Sequence, residues 1–254
     1  MNPTELPEIL RLYPSPAEKV NKIYEGLKFP VESSQADDSG PYVYINVASS
    51  LDGRAAKGGK AGGIGSGTDR ETMRVLRSKA DAVMVGAGTL RAEVMSLTSE
   101  GRRTPEPLAV IVSGSGQIPL EEQLIGFERG RTIVIVPSSV SSERMEGLSR
   151  SAHILVARAG TRGSVDLPEA IKLLEQRFQV RRLLVEGGPS LNHALISSGQ
   201  ADELFLTLAP KIIGGSPGEI ETIVNGGYLA EKERFHVLLS AYLSGSELFL
   251  RYRL

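Results

Sequence analysis

Residues 183–196 read LLVEGGPSLNHALI, and this stretch contains the change of pattern that decides the fold. An apolar run ends at Glu186, two glycines follow, and Pro189 and Ser190 open a run of helical character. Proline is favoured in the first helical turn and serine is a good capping residue. The stretch therefore predicts a strand, a tight glycine turn and a helix that starts beside Ser190.

The same order of features recurs in AVMVGAGTLRAE at residues 82–93, where Gly86 and Gly88 are compatible with a positive φ and Thr89 can cap a helical turn. A third turn, GGIGSGT at 62–68, precedes a predicted helix. None has the spacing of a P-loop or of a dinucleotide fingerprint, and each alone is typical of an ordinary turn. Two such turns at strand ends of one α/β chain favour a ligand with two phosphate regions, bound at helix starts.

Apolar strands alternate with helices from Tyr42 onward, and runs such as LAVIV and TIVIV predict strands buried on both faces. The fold class predicted is α/β, with three layers, a mostly parallel sheet and an antiparallel hairpin at the C-terminus. The predicted strands are Tyr42–Val47, Ala82–Val85, Leu108–Val112, Thr132–Val136, His153–Val156, Leu183–Glu186, Glu203–Leu208, Phe235–Leu239 and Glu247–Tyr252. The predicted helices are Asp69–Lys79, Ser142–Ser149, Pro168–Phe178 and Ser190–Ser198.

Residues 1–40 differ from the rest, because prolines punctuate the start and SSQADDSG at 33–40 is polar with turn chemistry. We interpret 1–40 as an N-terminal extension and linker, and 41–254 as one domain. Apolar residues at helical spacing over Ala17–Leu27 predict one short amphipathic helix in the extension, packed on the domain as a surface clasp.

Composition excludes several functions. The chain of 254 residues has no cysteine and three widely separated histidines, so a disulfide framework, a thiolate zinc site and a paired-histidine metal site are excluded, and no metal is expected. A net charge of −1 argues against nucleic-acid binding. No apolar run reaches ~18 residues, so no membrane span is expected. The acidic start MNPTELPEIL does not resemble a signal peptide, and we expect a cytoplasmic protein.

Few ionisable side chains suggest catalysis. Glu186 ends a strand at a glycine turn, where its carboxylate could bind a ligand or the backbone of its own turn. Asp52 is typical of a turn residue, while the helix positions of Arg77 and His193 favour solvated side chains, or a capping role for His193. No Ser/His/Asp set can be assembled, so no catalytic residue is assigned. A chain of this kind suits an enzyme whose chemistry comes from a cofactor.

Four blocks in order and spacing, NVASSLDGR (46–54), LRSKADAVMVGAGTLRAE (76–93), LLVEGGPSLNHALI (183–196) and FLTLAPKIIGG (205–215), resemble the pyrimidine reductase of riboflavin biosynthesis. The resemblance covers residues 41–254 and implies a dihydrofolate-reductase-like fold, NADPH as cofactor and a homodimer. It implies reduction of a small-molecule substrate, a ribosylaminopyrimidine 5′-phosphate, at the ribose carbon attached to the amine, which gives a ribitylamine.

The resemblance also implies roles for individual residues. Ala48 would face the nicotinamide, Ser113 would lie near the adenosine end, and Arg77 and Glu186 would contact the substrate. The cofactor contacts that follow the family's first glycine turn correspond to Thr89 and Glu93. The family's pyrophosphate cradle corresponds to Gly187, Gly188, Pro189, Ser190 and Leu191.

This chain departs from the family pattern at three points. It has no Ser-x-Trp before the helix at 69–79, and it has Glu93-Val94-Met95 where many members have Asp-Asp-Pro after the glycine turn. Many members also have an arginine just beyond Leu-Thr that would anchor the substrate phosphate, whereas here Leu-Thr is followed by Ser99 and Glu100. Arg91, Arg102 and Arg103 are candidate replacements. The departures leave open a related reductase of another pterin or pyrimidine, or an NADPH-binding protein without catalysis. The zinc-binding cysteines of the family's deaminase partner are absent, so we expect a separate reductase that takes a substrate already deaminated or still in the amino form.

Overall fold

The computed structural model describes residues 7–24, 26–30, 40–160, 163–216, 221–229 and 236–254. Its strands, in chain order, are β1 Ile9–Tyr13, β2 Glu18–Val20, β3 Tyr42–Ser50, β4 Ala82–Gly86, β5 Met95–Ser96, β6 Leu108–Val112, β7 Leu124–Ile125, β8 Thr132–Pro137, β9 His153–Ala157, β10 Arg182–Val185, β11 Glu203–Ala209, β12 Val237–Ser244 and β13 Glu247–Arg253. Its helices are α1 Gly67–Lys79, α2 Ala87–Ala92, α3 Leu120–Gln123, α4 Ser142–Ser149, α5 Leu167–Phe178 and α6 Pro189–Ser197.

One large sheet organises the molecule, with strands in the order β2-β1-β12-β13-β11-β3-β10-β4-β6-β8-β9. Every neighbouring pair from β11 to β9 is parallel. The pairs on the other side, from β2 to β11, are antiparallel, and β12 and β13 form the predicted C-terminal hairpin. The prediction of a mixed, mostly parallel sheet is confirmed.

Helices cover both faces of the sheet, because the central strands are apolar on both sides. On one face, Tyr44 and Val85 pack with Leu76 of α1 and Leu90 of α2. On the other face, the alternate residues of the same strands pack with α5 and α6, including Leu195. The predicted three layers are thus present, and α1 and α6 lie on opposite faces of β10.

The N-terminal extension contributes to this sheet, and the prediction of a helix over 17–27 was wrong. Residues 18–20 form β2, which pairs with β1, and β1 pairs with β12 at the edge of the sheet. The apolar residues that suggested a helix instead pack individually against the core. Tyr24, for example, packs edge-on against Phe205, with 4.9 Å between the ring centroids. The predicted linker, except Gly40, lies outside the described residues.

Within the domain, the predicted elements match the observed ones to within a few residues. The strand β6 and the helix α4 have the predicted bounds, whereas β12 runs further than predicted, to Ser244. Phe235, where that strand was predicted to start, lies outside the described residues. The helix α3 and the strands β5 and β7 were not predicted because they are too short to show a period, and α2 was predicted only as a helical turn after the glycines. Among the described residues, no helix has the length and apolarity needed to cross a bilayer.

Candidate functional site

Two of the glycine turns lie side by side at the carboxyl ends of the parallel strands. The strands β4 and β10 are neighbours, and the Gly86 N–H donates a hydrogen bond to the Gly187 carbonyl oxygen at 2.8 Å. Gly187 has φ +92°, a left-handed conformation that favours glycine. Gly86 has φ −75°, so positive φ is a property of the second turn and not of the first. In an open α/β sheet, this edge is where ligands bind.

Gly188 is required by close approach to the neighbouring helix. A Cβ atom at Gly188 would lie 2.8 Å from the Thr89 hydroxyl oxygen, which real contacts do not allow. Thr89 is the third residue of α2 and does not cap it, contrary to the prediction; the capping position is Gly86. The contact between the two turns therefore brings the starts of α2 and α6 together.

The amino end of α6 has no side-chain cap. Gly188 occupies the capping position, Pro189 is the first helical residue as predicted, and Ser190 lies inside the first turn, so its predicted capping role is wrong. The Leu191 side chain is buried in the core beneath the helix. An uncapped first turn leaves main-chain N–H groups available, which suits an anion such as a pyrophosphate.

A segment at 221–229 packs over α6. The Asn225 N–H donates to the Pro189 carbonyl at 3.1 Å, and the buried Asn192 side-chain amide donates to the Ile223 carbonyl at 2.8 Å. The His193 ring lies against Gly226, with its Nε2 buried, so the predicted solvated position for His193 was wrong.

The other residues that the resemblance assigned to the cofactor lie along the same sheet edge. Ala48 is near the end of β3, half-buried, beside Thr207 of β11. Ser113 follows β6 and is buried; its Oγ accepts a hydrogen bond from the Gly116 N–H at 2.9 Å. Because β3, β10, β4 and β6 are consecutive in the sheet, the line from Ala48 to Ser113 crosses four neighbouring strands.

Glu93 ties this edge to the third glycine-containing segment. It ends α2, and its carboxylate accepts a hydrogen bond from the Gly62 N–H at 3.2 Å. That segment leads into α1, which Ser66 caps by accepting hydrogen bonds from the N–H groups of Thr68 and Asp69. The loop at 62–66 is therefore fastened at both of its ends.

Arg77 and Glu186, the two predicted substrate contacts, bind each other. Arg77 Nε and Nη2 donate to the two carboxylate oxygens of Glu186 at 2.7 and 2.6 Å, and Nη1 donates to the Thr98 carbonyl at 3.1 Å. The side chains are only 5% and 10% exposed, so the solvated position that helix spacing favoured for Arg77 was wrong. Burial opposes the charge on Arg77, but the carboxylates of Glu186, Glu100 and Glu106 together outweigh it, and the pKa of Arg77 is raised.

Comparison with known proteins identifies the family of this chain. The family described as the RibD C-terminal domain matches residues 41–232. The chain belongs to the RibD C-terminal domain family. It is 31% identical over 218 residues to the 2,5-diamino-6-ribosylamino-4(3H)-pyrimidinone 5′-phosphate reductase of Methanothermobacter thermautotrophicus, which covers 84% of this chain and 97% of that protein. A reductase of the same name from Archaeoglobus fulgidus is 32% identical, over 76% of this chain and 90% of the relative.

The fold of this RibD C-terminal domain is also found in solved structures. Acinetobacter baumannii RibD superposes with a TM-score of 0.69 at 24% identity, and the match covers 85% of this chain and 58% of that one. The chain thus spans little more than half of that structure. The agreement confirms the predicted fold.

No arginine follows Leu-Thr directly in this chain, and Glu100, two residues after Thr98, has a partner of its own. Glu100 binds Arg74 of α1 at 2.7 Å. Of the three candidate replacements, Arg103 binds Asp81. Asp81 directly precedes β4 and therefore lies at the amino ends of the parallel strands, away from this site. Arg103 is thus wrongly placed to replace the missing arginine. Arg102 binds Glu71 of α1 through both carboxylate oxygens, at 2.9 and 2.7 Å.

The sequence reading missed one group of side chains at the start of α1. Asp69 is half-buried, and burial raises its pKa to about 6, although the nearby Thr207 hydroxyl acts in the opposite direction. Glu247 of β13 binds Ser66, and burial raises the pKa of Glu247 as well. An acidic residue in the first turn of a helix is ordinary in sequence, so no signal separated Asp69 from a helix-dipole residue.

Proposed function

We propose that this protein is an NADPH-dependent reductase that converts a ribosylaminopyrimidine 5′-phosphate into its ribitylamino form in riboflavin biosynthesis. The observation that carries the proposal is the contact of two glycine turns beside the Arg77–Glu186 pair at one sheet edge. The single-domain relatives are named for the 2,5-diamino substrate, and we infer that this chain also takes the form that still carries the 2-amino group.

The residues at the sheet edge fit a pyridine nucleotide, which is the class of reductant that a reductase of this family requires. The uncapped start of α6 suits the pyrophosphate, because main-chain N–H groups there have no side-chain acceptor. Thr89 and Glu93 would hold the cofactor beside the first turn, Ser113 would lie at its adenosine end, and the small side chain of Ala48 leaves space for the nicotinamide. The bound cofactor supplies a hydride.

The chain's own residues would position the substrate. Glu186 accepts two hydrogen bonds from Arg77, and these fix the orientation of its carboxylate beside a cation. Two of the four lone-pair positions of the carboxylate remain for ribose hydroxyl donors. Holding the ribose carbon in line with the hydride donor supplies orientation, and a site walled by buried strands limits water near the reacting carbon.

The direct test is turnover of the purified chain. We expect NADPH to be oxidised when the 2,5-diamino ribosylaminopyrimidine phosphate is added, with a product that mass spectrometry shows to contain two more hydrogen atoms. The deaminated substrate and dihydrofolate, supplied in parallel, should react more slowly. Faster reduction of dihydrofolate would favour a reductase of another pterin, and NADPH binding without oxidation would favour a non-catalytic protein.

We further propose a homodimer located in the cytoplasm. Apolar side chains are exposed on neighbouring strands at the antiparallel end of the sheet, with Leu12 and Tyr13 on β1 and Val237 on β12. Exposed apolar area of this kind is typical of a protein interface. Light scattering on the eluting protein should give twice the mass of the 27.2 kDa chain, and a mass equal to one chain would contradict the dimer.

A further inference from the structure

The far end of the proposed cofactor points along the sheet edge toward β6. The strands β3, β10, β4 and β6 are consecutive in the sheet, and the two glycine turns meet at the ends of β10 and β4. A dinucleotide with its nicotinamide at Ala48 and its pyrophosphate at these turns therefore continues to the end of β6, three strand spacings or about 14 Å from β3. The loop that follows β6, residues 113–117, is where its adenosine would lie.

This loop presents main-chain N–H groups to a ligand. Gly116 has φ +70°, and its N–H donates to the Ser113 hydroxyl oxygen at 2.9 Å, which closes a tight turn. The N–H groups of Gly114 and Ser115 have no acceptor among the described residues. Main-chain donors that are free in a turn of this kind suit an anion.

Arg91 reaches the loop from the helix of the first glycine turn. Its Nη1 donates to the Gln117 carbonyl at 2.8 Å, and its Nη2 lies 4.0 Å from the position that a Cβ atom would take at Gly88. An arginine side chain has five N–H donors, and no carboxylate in the described part of the chain pairs with this one. Arg91, the third candidate for the missing substrate-phosphate arginine, is thus held at the loop after β6.

Arg144 reaches the same loop from α4, which follows the next strand of the sheet, β8. Its side chain lies across Gly116, because a Cβ atom at Gly116 would be 2.9 Å from Arg144 Cδ. Arg144 is in the first turn of α4, and its guanidinium has no ion-pair partner within the residues that the structure describes. Two cationic side chains therefore contact one loop, each with donors to spare.

A cavity of about 390 Å³ opens between the loop and α4. Gln117 and Arg144 line it, and Ile118 and Leu148 give it apolar surface. This volume is within the range of ligand pockets, about 300–1,000 Å³. A flat ring such as adenine can lie against the apolar side chains while an anionic group reaches the arginines.

We propose that Arg91 and Arg144 bind the 2′-phosphate of the NADPH adenosine at this loop, and that these two arginines select NADPH over NADH. The inference rests on the proposed function, which requires a pyridine nucleotide. NADPH differs from NADH only in that phosphate, whose charge at pH 7 is about −1.5 to −2. Arginine is suited to the task because its planar fork of N–H groups matches the oxygens of a phosphate.

Glu143 is the carboxylate that lines the same cavity. A carboxylate at the adenosine ribose typically binds the 2′-hydroxyl of NADH, and it repels a 2′-phosphate. Two arginines against one glutamate leave a net positive charge at the loop, which favours the phosphate. Glu143→Gln should therefore raise the preference for NADPH, and substitution of either arginine should lower it.

The first test uses fragments that need no turnover. Adenosine 2′,5′-bisphosphate and 5′-AMP differ in the same phosphate as the two cofactors, and calorimetry gives the affinity of each. We expect Arg91→Ala and Arg144→Ala each to lose about tenfold in affinity for the bisphosphate and to bind 5′-AMP as the wild type does. Arg150→Ala is the matched control, since Arg150 is an exposed arginine at the other end of α4. It should bind both fragments with wild-type affinity.

The second test uses the whole cofactors, with binding followed by nicotinamide fluorescence. Combining Arg91→Ala and Arg144→Ala should lower NADPH affinity at least about tenfold and leave NADH affinity within about twofold. An unchanged ratio of the two affinities in this double variant, with circular dichroism matching wild type, would overturn the assignment. Equal losses for both cofactors would do the same, as would a wild type that binds NADH as tightly as NADPH. Binding of neither cofactor to the wild type would instead refute the proposed function itself.

Discussion

At the residue scale, the site depends on two glycines, Gly188 and Gly65, whose lack of a side chain leaves space for a neighbouring group. Gly188 leaves space beside the Thr89 hydroxyl, and Gly65 leaves space for the Asp69 carboxyl. A positive φ does not explain either glycine, because neither Gly188 nor Gly65 has one, in contrast to Gly187. Such positions are recognised from neighbours that are distant in sequence, so the chain alone does not reveal why glycine stands there.

Substitution of Gly188 should affect cofactor binding before it affects the fold. Gly188→Ala places a methyl group against Thr89 and blocks backbone approach, and Gly188→Val should abolish NADPH binding. Calorimetry should show at least about a tenfold loss of NADPH affinity for the alanine variant. Gly130→Ala is the matched control, since a Cβ there meets open space. Equal affinities in all three proteins would contradict a cradle at Gly188.

Glu186→Gln should reduce substrate turnover more than NADPH binding. The change weakens two short bonds to a buried guanidinium and should also lower the free energy of unfolding by about 1.5–3 kcal/mol. Glu203→Gln is a matched control, because Glu203 is also buried and makes a bidentate pair with Arg251 near the amino end of β11, away from this site. Urea unfolding should show similar losses in both variants. If Glu203→Gln lost as much turnover, the effect at Glu186 would be one of stability.

At the element scale, α1 is the most consequential helix, because it carries Asp69 in its first turn and Arg77 in its last turn. Its start is fixed by Ser66, which also binds Glu247 of β13. A helix that is displaced by a fraction of a turn would move both side chains relative to the strands. The capping residue of α1 is therefore expected to matter for activity as well as for stability.

Ser66→Ala should lower the free energy of unfolding by about 1 kcal/mol and also reduce turnover. Ser141→Ala, which removes the corresponding cap of α4, should have a similar or smaller effect on stability and none on turnover. Denaturant unfolding followed by circular dichroism, with steady-state rates on the same samples, makes the comparison. Wild-type turnover in Ser66→Ala would show that α1 keeps its position without the cap.

At the scale of the whole molecule, the N-terminal residues are part of the core. Ile9, Ile23, Tyr24, Leu27 and Phe29 belong to the same buried cluster as the central strands. The aromatic rings of Tyr24 and Phe29 pack with Phe205 at the antiparallel side of the sheet. Folding of the reductase domain is therefore coupled to its N-terminal segment.

Tyr24→Ala should destabilise the protein by about 3–5 kcal/mol, as expected for truncation of a fully buried aromatic side chain. Tyr13→Ala, at a site that is 43% exposed, should change stability by less than about 1 kcal/mol. Thermal unfolding of the two variants and the wild type, at one protein concentration, gives the comparison. A small effect at Tyr24 would mean that the extension packs on a domain already stable without it.

The sequence by itself determined the architecture of residues 41–254, because buried parallel strands are nearly continuous apolar runs and their helices show a clear period. It also located the glycine turns and the family. The helix predicted for 17–27 failed because apolar spacing in a short irregular segment matches a helix by chance, and only its tertiary neighbours reveal a strand. The tertiary structure alone decided the pairing of Arg77 with Glu186, 109 residues apart, and of Ser66 with Glu247, 181 residues apart. Burial and partners set the charge and direction of these side chains, and both depend on elements that the chain brings together only by folding.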